Sequence, residues 1–167
     1  NNVRVPPENI LGNIGQGWQH IERILQKAAI AKCAEMVGGA QRALEMTVSY
    51  TKQRKQFGQF IGGFQAVQHH CANMAIDVDA SQLITYEAAW KLSQGLECAK
   101  EVAMAKAWVS DAYHRVAILG HQVHGGVSWV ENHDMPLYSR QAKADELAFG
   151  DSRYHRSKVA QKIGLTV

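Results

Sequence analysis

Proline is scarce in this sequence. Only three prolines occur among 167 residues, at Pro6, Pro7 and Pro136. Because proline breaks a helix interior, the long interval from Pro7 to Pro136 favours long helices. Apolar residues make up 46% of the chain and charged residues 20%, a composition typical of a folded domain rather than a disordered one. The length fits one domain.

The sequence also has few cysteines, a small net charge and no long apolar run. The three cysteines, Cys33, Cys71 and Cys98, are odd in number and far apart, which indicates core residues in a reducing compartment. The formal net charge of +3 is too small and too scattered to indicate nucleic-acid binding. No apolar run reaches membrane-spanning length. We therefore expect a cytoplasmic protein, or a mitochondrial-matrix protein if the source is a eukaryote.

Eight histidines raise the question of a metal site. His69 and His70 point in different directions on a helix, and the loop that His121 and His124 flank contains no acidic residue that could act as a further ligand. No His-x-x-x-His or Glu-x-x-His pair occurs, so we expect no metal and disfavour a di-iron bundle. Nucleophile-elbow and phosphate-binding glycine-loop motifs are missing too.

Apolar spacing predicts an all-α fold, an up-and-down antiparallel bundle of four helices with a short final helix. A short strand over residues 2–6 and a loop to Gly17 precede it. The predicted helices span about 17–56, 64–94 and 97–119, then from Asp134 to Gly150, and finally from an Asp151–Ser152 cap to Ile163. Gly38 and Gly39 lie inside the first helix, which indicates a close helix crossing.

Two stretches carry polar and glycine residues between helices. Residues 50–68 read YTKQRKQFGQFIGGFQAVQ, with cations at the end of one helix and glycines in the turn that follows. Residues 122–126 read QVHGG, in which an amide side chain stands beside bare backbone. The first stretch suits a phosphate-bearing, partly aromatic ligand. In the second, the glutamine can hydrogen-bond a ligand that the bare backbone approaches closely. The alternatives are a solvated basic corner and an ordinary helix-terminating loop.

These stretches resemble the acyl-CoA dehydrogenase family. The similarity rests on RKQFG at 54–58 with Ile61 and FQAVQ at 64–68, on QVHGG at 122–126, and on NVRVP at 2–6 with NILG at 9–12. It implies that residues 1–16 end a preceding β-domain and linker, and that residues 17–167 form the family's C-terminal helical bundle. The chain departs from the family at Ser128, which is usually Gly, and at Trp129, which is usually Phe or Tyr.

The resemblance implies FAD as cofactor, commonly the FAD of a neighbouring subunit. Arg54 would face the pyrophosphate, and Gln122, Gly125 and Gly126 would lie along the adenosine. Gln56, Phe57 and Gln65 would stand nearby.

The reaction implied by the resemblance is α,β-dehydrogenation of an acyl-CoA. A carboxylate removes the α-proton, and the β-hydrogen passes as hydride to the flavin. The family carries this glutamate at one of two places, which correspond here to Phe149 and to Ala28 with Ala29. The catalytic residue therefore stays unassigned. The remaining candidates are Asp151, Glu146 and Glu131, and the alternative role of Asp151 is a helix N-cap.

Two functions follow from the resemblance. The first is the C-terminal, FAD-contacting and oligomerising domain of an acyl-CoA dehydrogenase, with an electron-transferring flavoprotein as acceptor and a dimer or tetramer as assembly. The second is a non-catalytic partner subunit that completes a neighbour's FAD site in a hetero-oligomer.

Overall fold

A computed structural model describes residues 2–130 and 132–165. Within these residues the chain forms five α-helices and one small hairpin, in the order α1, β1, β2, α2, α3, α4, α5. Their bounds are α1 Gly17–Gln53, β1 Lys55–Gln56, β2 Gln59–Phe60, α2 Gln65–Ser93, α3 Ala99–His124, α4 Met135–Leu147 and α5 Ser152–Lys162. Short 3-10 helices lie at Pro7–Asn9, Ile61–Gly63 and Gly125–Trp129. The predicted helical bundle is confirmed.

Helix α3 is the centre of the bundle, because it packs against each of the other four helices. The core is built from small and medium apolar side chains of α1, α2, α3 and α4, including Cys33, Met36, Met74, Val78, Val109, Val116 and Met135. With 37 residues, α1 spans roughly 55 Å.

The two glycines inside α1 have different surroundings. A Cβ on Gly39 would overlap the hydroxyl of Tyr113, which α3 buries against α1. Gly38 has open space on its side of the helix. The expected close crossing therefore depends on Gly39.

Several boundaries differ from the sequence-based expectation. Residues 2–6 form no strand within the described part of the chain. Helix α1 ends at Gln53 rather than near residue 56. Helix α3 continues past Gly120 to His124. A Cβ at residue 120 would lie 2.9 Å from the Met135 side chain, so glycine is needed there for close packing. A glycine that permits close packing was thus interpreted wrongly as a helix stop.

The first residues of α4 and α5 are stabilised in different ways. Asp134 makes no side-chain cap to α4, and the Met135 amide donates instead to Nδ1 of His133 at 3.1 Å. At α5 the expected cap is present, since the Tyr154 amide donates to the Asp151 carboxylate at 2.8 Å.

Candidate functional site

The turn after α1 is a tight β-hairpin. Lys55 pairs with Phe60 and Gln56 with Gln59, which leaves Phe57 and Gly58 as the two loop residues. Both have positive φ, 51° at Phe57 and 82° at Gly58, as a type I′ turn requires. Phenylalanine rarely adopts this conformation, and such strain is concentrated at functional sites. Phe57 is 91% exposed at the hairpin tip.

The hairpin presents a cation and amides around that aromatic ring. Arg54 is exposed and stands at the C-cap of α1 with extended backbone, and its carbonyl accepts from the Ile61 amide at 2.9 Å. Gln56 and Gln65 are exposed as well. Within the described residues, no carboxylate pairs with the Arg54 guanidinium. An exposed guanidinium of this kind suits a phosphate group.

The base of the hairpin is fixed to the two helices that flank it. Gly62 lies against the last turn of α1, where an added Cβ would stand 3.2 Å from the Thr51 carbonyl. The side-chain amide of Gln68, on α2, donates to the Gly62 carbonyl at 3.0 Å. Neither Gly62 nor Gly63 has positive φ, so among the glycines of this turn only Gly58 uses the backbone freedom that glycine permits.

The QVHGG motif lies at the end of α3. Gln122 is exposed on the last turn of the helix rather than in a loop. Gly125 has φ 68° and ψ −150°, a combination that only glycine adopts readily. A Cβ at Gly125 or Gly126 would meet no atom within 4 Å, so the bare backbone is open to a ligand.

Both motifs lie at the same end of the bundle. The rings of Tyr50 and His124 stack with centroids 4.3 Å apart, which joins the last turn of α1 to the last turn of α3. The hairpin follows Tyr50 and the glycine turn follows His124. The structure therefore brings the ends that carry Arg54 and Gly125 to one side of the molecule.

His124 is 6% exposed, and neither ring nitrogen has a hydrogen-bond partner within the described part of the chain. Burial, with the nearby His133 and His121, lowers the pKa of His124 to about 4. The ring is therefore neutral near pH 7, and it packs flat against the Tyr50 ring.

The two departures from the family pattern stabilise this turn. The Ser128 hydroxyl is buried and donates to the Gly125 carbonyl at 2.7 Å, while it lies 2.9 Å from Nδ1 of His121. The Trp129 ring stacks on His121 with centroids 4.1 Å apart. Both residues thus hold the glycine turn against α3.

A second feature, near the other end of α1, is a cavity of about 100 Å³. Its apolar wall comes from α1, α3 and the turn before α5, and consists of Leu25, Ala29, Ala99, Val102, Ala103 and Phe149. Glu22, Gln26, Lys158 and Lys162 lie among its polar lining residues. Phe149 and Ala29, both at positions where the family resemblance places a base, face the same space.

The carboxylates proposed from sequence have other contacts. Asp151 caps α5, and the Glu146 carboxylate pairs with Lys143 at 2.9 Å. Glu131 lies outside the described residues. Neither Asp151 nor Glu146 is among the residues that line the cavity.

Sequence reasoning missed the side chains that hold the turn containing Phe149. The Lys106 ammonium is completely buried and donates to the Glu146 and Gly150 carbonyls at 2.9 and 3.0 Å. The His155 ring lies 3.0 Å from the Phe149 carbonyl oxygen. One signal was available, because Lys106 follows Val102 by four residues and so shares its apolar face of α3.

Two features are absent from the residues that the structure describes. No group of three or more metal-ligating side chains occurs among them. No helix in residues 2–130 and 132–165 is long and apolar enough to cross a membrane.

The fold and the site define a helical-bundle domain that carries two polar, glycine-containing turns at one end. Residues 15–164 match the family model described as acyl-CoA dehydrogenase, C-terminal domain. The chain belongs to the acyl-CoA dehydrogenase family and corresponds to its C-terminal domain.

Curated relatives agree over nearly the whole chain. The short/branched chain specific acyl-CoA dehydrogenase of Bos taurus is 35% identical over 97% of this chain and 38% of its own length. The caffeyl-CoA reductase–Etf complex subunit CarC of Acetobacterium woodii is 29% identical over 95% of this chain and 42% of its own length. The chain thus spans about two fifths of the length of these relatives.

Solved structures confirm the fold. A structure of PigA with FAD and proline superimposes with a TM-score of 0.93 at 27% identity, covering 99% of this chain and 43% of the other. Butyryl-CoA dehydrogenase from Megasphaera elsdenii has a TM-score of 0.91 at 30% identity, covering 95% of this chain and 42% of the other.

Proposed function

We propose that this chain is the FAD-contacting and oligomerising domain of an enzyme that performs α,β-dehydrogenation of an acyl-CoA thioester. In this proposal residues 1–16 end a preceding β-domain and its linker, and residues 17–167 form the bundle. The observation that carries it is the placement of the Arg54 hairpin and the Gly125–Gly126 turn at one end of the bundle, joined by the Tyr50–His124 stack.

The residues of this end fit the parts of FAD. The Arg54 guanidinium would bind the pyrophosphate through charged hydrogen bonds. Gln56, Phe57 and Gln65 would contribute amide and aromatic contacts beside it. Gln122 with the bare backbone of Gly125 and Gly126 would lie along the adenosine. The bound flavin supplies the hydride acceptor, and this chain's residues bind and orient its nucleotide half.

The length of α1 supports a site shared between subunits. Tyr50 and Ala29 are separated along α1 by roughly 30 Å. The hairpin and the Phe149 cavity therefore stand far apart in one chain, which fits a hairpin that contacts the FAD of a neighbouring subunit. An apolar stripe on the outer face of α2 offers a surface for such a neighbour, and consists of Ile76, Leu83, Tyr86 and Trp90, each more than half exposed.

The names of similar proteins support the substrate and the electron acceptor. Butyryl-CoA dehydrogenase and the short/branched chain enzyme are named for acyl-CoA substrates, and CarC for a complex with Etf. We therefore propose an acyl-CoA substrate, an electron-transferring flavoprotein as acceptor, and a cytoplasmic or mitochondrial-matrix location.

The alternative of a non-catalytic partner subunit has less support. It rests on Phe149, Ala28 and Ala29, which leave no carboxylate at the family's base positions. The relatives named above are dehydrogenases and reductases, so we favour an enzyme whose proton-removing step is impaired or uses another group.

The proposal is tested on the protein that contains this chain, purified without added flavin. Its absorbance spectrum and the flavin released on denaturation should give about one FAD per chain. Titration with butyryl-CoA should perturb the flavin band. A preparation that neither retains FAD nor binds it on reconstitution contradicts the proposal.

A further inference from the structure

Lys106 is a completely buried lysine whose hydrogen bonds all go to neutral oxygens. Its Nζ donates to the Ser110 hydroxyl at 3.1 Å and to the carbonyls of Glu146 and Gly150. An ammonium has three N–H donors, so this set uses all of them. Burial lowers the pKa of Lys106 from its ordinary value. Such a group is costly to bury, and its cost is offset only by well-placed acceptors.

The two carbonyl acceptors bracket the turn between α4 and α5. Glu146 contributes one of the last carbonyls of α4, which have no partner within the helix and carry partial negative charge. Gly150 contributes the carbonyl directly after Phe149. One side chain of α3 therefore joins the residues before and after the segment that faces the cavity.

The bracketed segment has an unusual backbone. Phe149 has φ 58° and Gly150 has φ 99°, so two successive residues are left-handed. A Cβ on Gly150 would overlap the Tyr154 ring, which leaves only glycine at that position. His155 lies 3.0 Å from the Phe149 carbonyl and holds the middle of the segment from α5. A left-handed phenylalanine persists only where its surroundings enforce it.

Lys106 is not itself part of the cavity wall. The cavity wall uses Val102 and Ala103 of α3, one helical turn before Lys106, together with Phe149 itself. The Lys106 side chain is not among the lining residues. A substitution at Lys106 therefore makes no direct contact with a ligand in the cavity, and the turn that Lys106 holds is a route by which it would reach one.

We propose that Lys106 is a positioning residue that fixes the turn from Ala148 to Asp151, and through it the placement of Phe149 against a bound acyl group. The role of the cavity in acyl binding rests on the proposed function. The fixing of the turn does not, because the contacts above define it.

The first experiment measures hydrogen exchange in the FAD-loaded protein. Lys106→Met keeps most of the side-chain volume and removes the donors, so amides of residues 147–155 should exchange about tenfold faster or more. Amides in the middle of α1 and α2 should keep their rates. Lys143→Met is the matched control, because it removes an exposed ammonium that contacts the Glu146 side chain rather than its carbonyl. Unchanged exchange in the turn, or equal acceleration throughout the bundle, overturns the proposal.

The second experiment measures coupling between Lys106 and Phe149 in butyryl-CoA affinity. Lys106→Met should weaken binding by about tenfold when Phe149 is present, and by less than about twofold in a Phe149→Ala background. Equal losses in both backgrounds show a purely structural role and overturn the positioning assignment.

A further variant and a further outcome distinguish the role of Lys106 from the proposed function. Lys106→Gln retains two N–H donors without the charge, so it should fall between wild type and Lys106→Met, and it carries both tests if Lys106→Met does not fold. If the wild type binds neither FAD nor butyryl-CoA, the proposed function fails, and the same exchange rates measured on the flavin-free protein still decide whether Lys106 fixes the turn.

Discussion

Phe149 lines the same cavity as Ala29, although one belongs to the turn before α5 and the other to α1. The family resemblance places a base at either position, and the structure explains how two such distant positions serve one role. A carboxylate at Phe149 or on this turn of α1 would project toward the same space. In this chain both positions are apolar, so the cavity wall offers no proton acceptor there.

The cofactor assignment predicts the effect of removing the Arg54 guanidinium. A charged hydrogen bond contributes about 1.5–3 kcal/mol, so Arg54→Ala should weaken FAD retention about tenfold or more. Lys52→Ala is the control, because it removes an exposed cation from the same last turn of α1. FAD dissociation constants measured on the whole protein check this. Equal affinity for wild type and a well-folded Arg54→Ala variant would remove Arg54 from the site.

Acid should destabilise the protein through His124. Its pKa is about 4 in the folded state and about 6.5 when unfolded. Between these values the unfolded chain binds more protons, so this contribution is complete above pH 6.5 and is lost as the pH falls toward 4. The loss is at most about 3 kcal/mol.

Denaturant unfolding at several pH values checks the histidine prediction. His124→Phe keeps an aromatic ring on Tyr50 and cannot titrate, so its free energy of unfolding should fall less between pH 6.5 and 4. His69→Phe, on the exposed side of α2, should keep the wild-type slope. Parallel curves for wild type and His124→Phe would contradict the assignment. A residual slope is expected, because burial also lowers the pKa of His121 and His155.

The paired glycines of α1 give an internal comparison. Gly39→Ala should lower the free energy of unfolding by about 1–3 kcal/mol, since its methyl group would overlap the Tyr113 hydroxyl. Gly38→Ala should raise it by up to about 1 kcal/mol, because alanine favours the helix and meets open space. Adding Tyr113→Phe should recover part of the Gly39→Ala loss. Similar effects at both glycines would show that the crossing is not set by Gly39.

Assembly should depend on the apolar stripe of α2. Leu83 is 70% exposed, and Leu83→Glu places a charge within the stripe. We expect light scattering at micromolar concentration to show a dimer or tetramer for the wild type and smaller species for this variant. Gln82→Glu adds the same charge at the adjacent exposed position and should leave the assembly intact. A wild type that is only monomeric would count against the oligomer.

Helix number, order and approximate length were predictable from the sequence, because apolar spacing and the lack of proline over more than a hundred residues act locally. The Asp151 cap was predictable for the same reason. Gly120 was not, since a helix-ending glycine and one that admits the Met135 side chain look alike without tertiary contacts. The left-handed Phe57 was also hidden, because sequence alone favours glycine or asparagine there.

The candidate site was also predictable only in part. The motifs at residues 54–58 and 122–126 are recognisable in the sequence as short patterns. Their placement at one end of the bundle is not, because it depends on the Tyr50–His124 stack between distant segments. Lys106 was missed because a lysine is expected at the surface, and its burial depends on carbonyls of Glu146 and Gly150, which lie about forty residues away in the chain.

We propose that this domain contributes to acyl-CoA dehydrogenation with an apolar residue at the position of the general base. The most direct test mixes the FAD-loaded homo-oligomer anaerobically with butyryl-CoA and follows loss of the oxidised flavin absorbance. We expect slow reduction by the wild type and faster reduction by Phe149→Glu, because a positioned general base contributes roughly 10²–10⁴ in rate. Phe149→Gln has a side chain of the same shape as Phe149→Glu but cannot take up the proton, so its flavin should be reduced slowly. Rapid reduction by the wild type, unchanged in Phe149→Glu, would contradict the account and point to another base, with Asp151→Asn as the variant that identifies or eliminates Asp151.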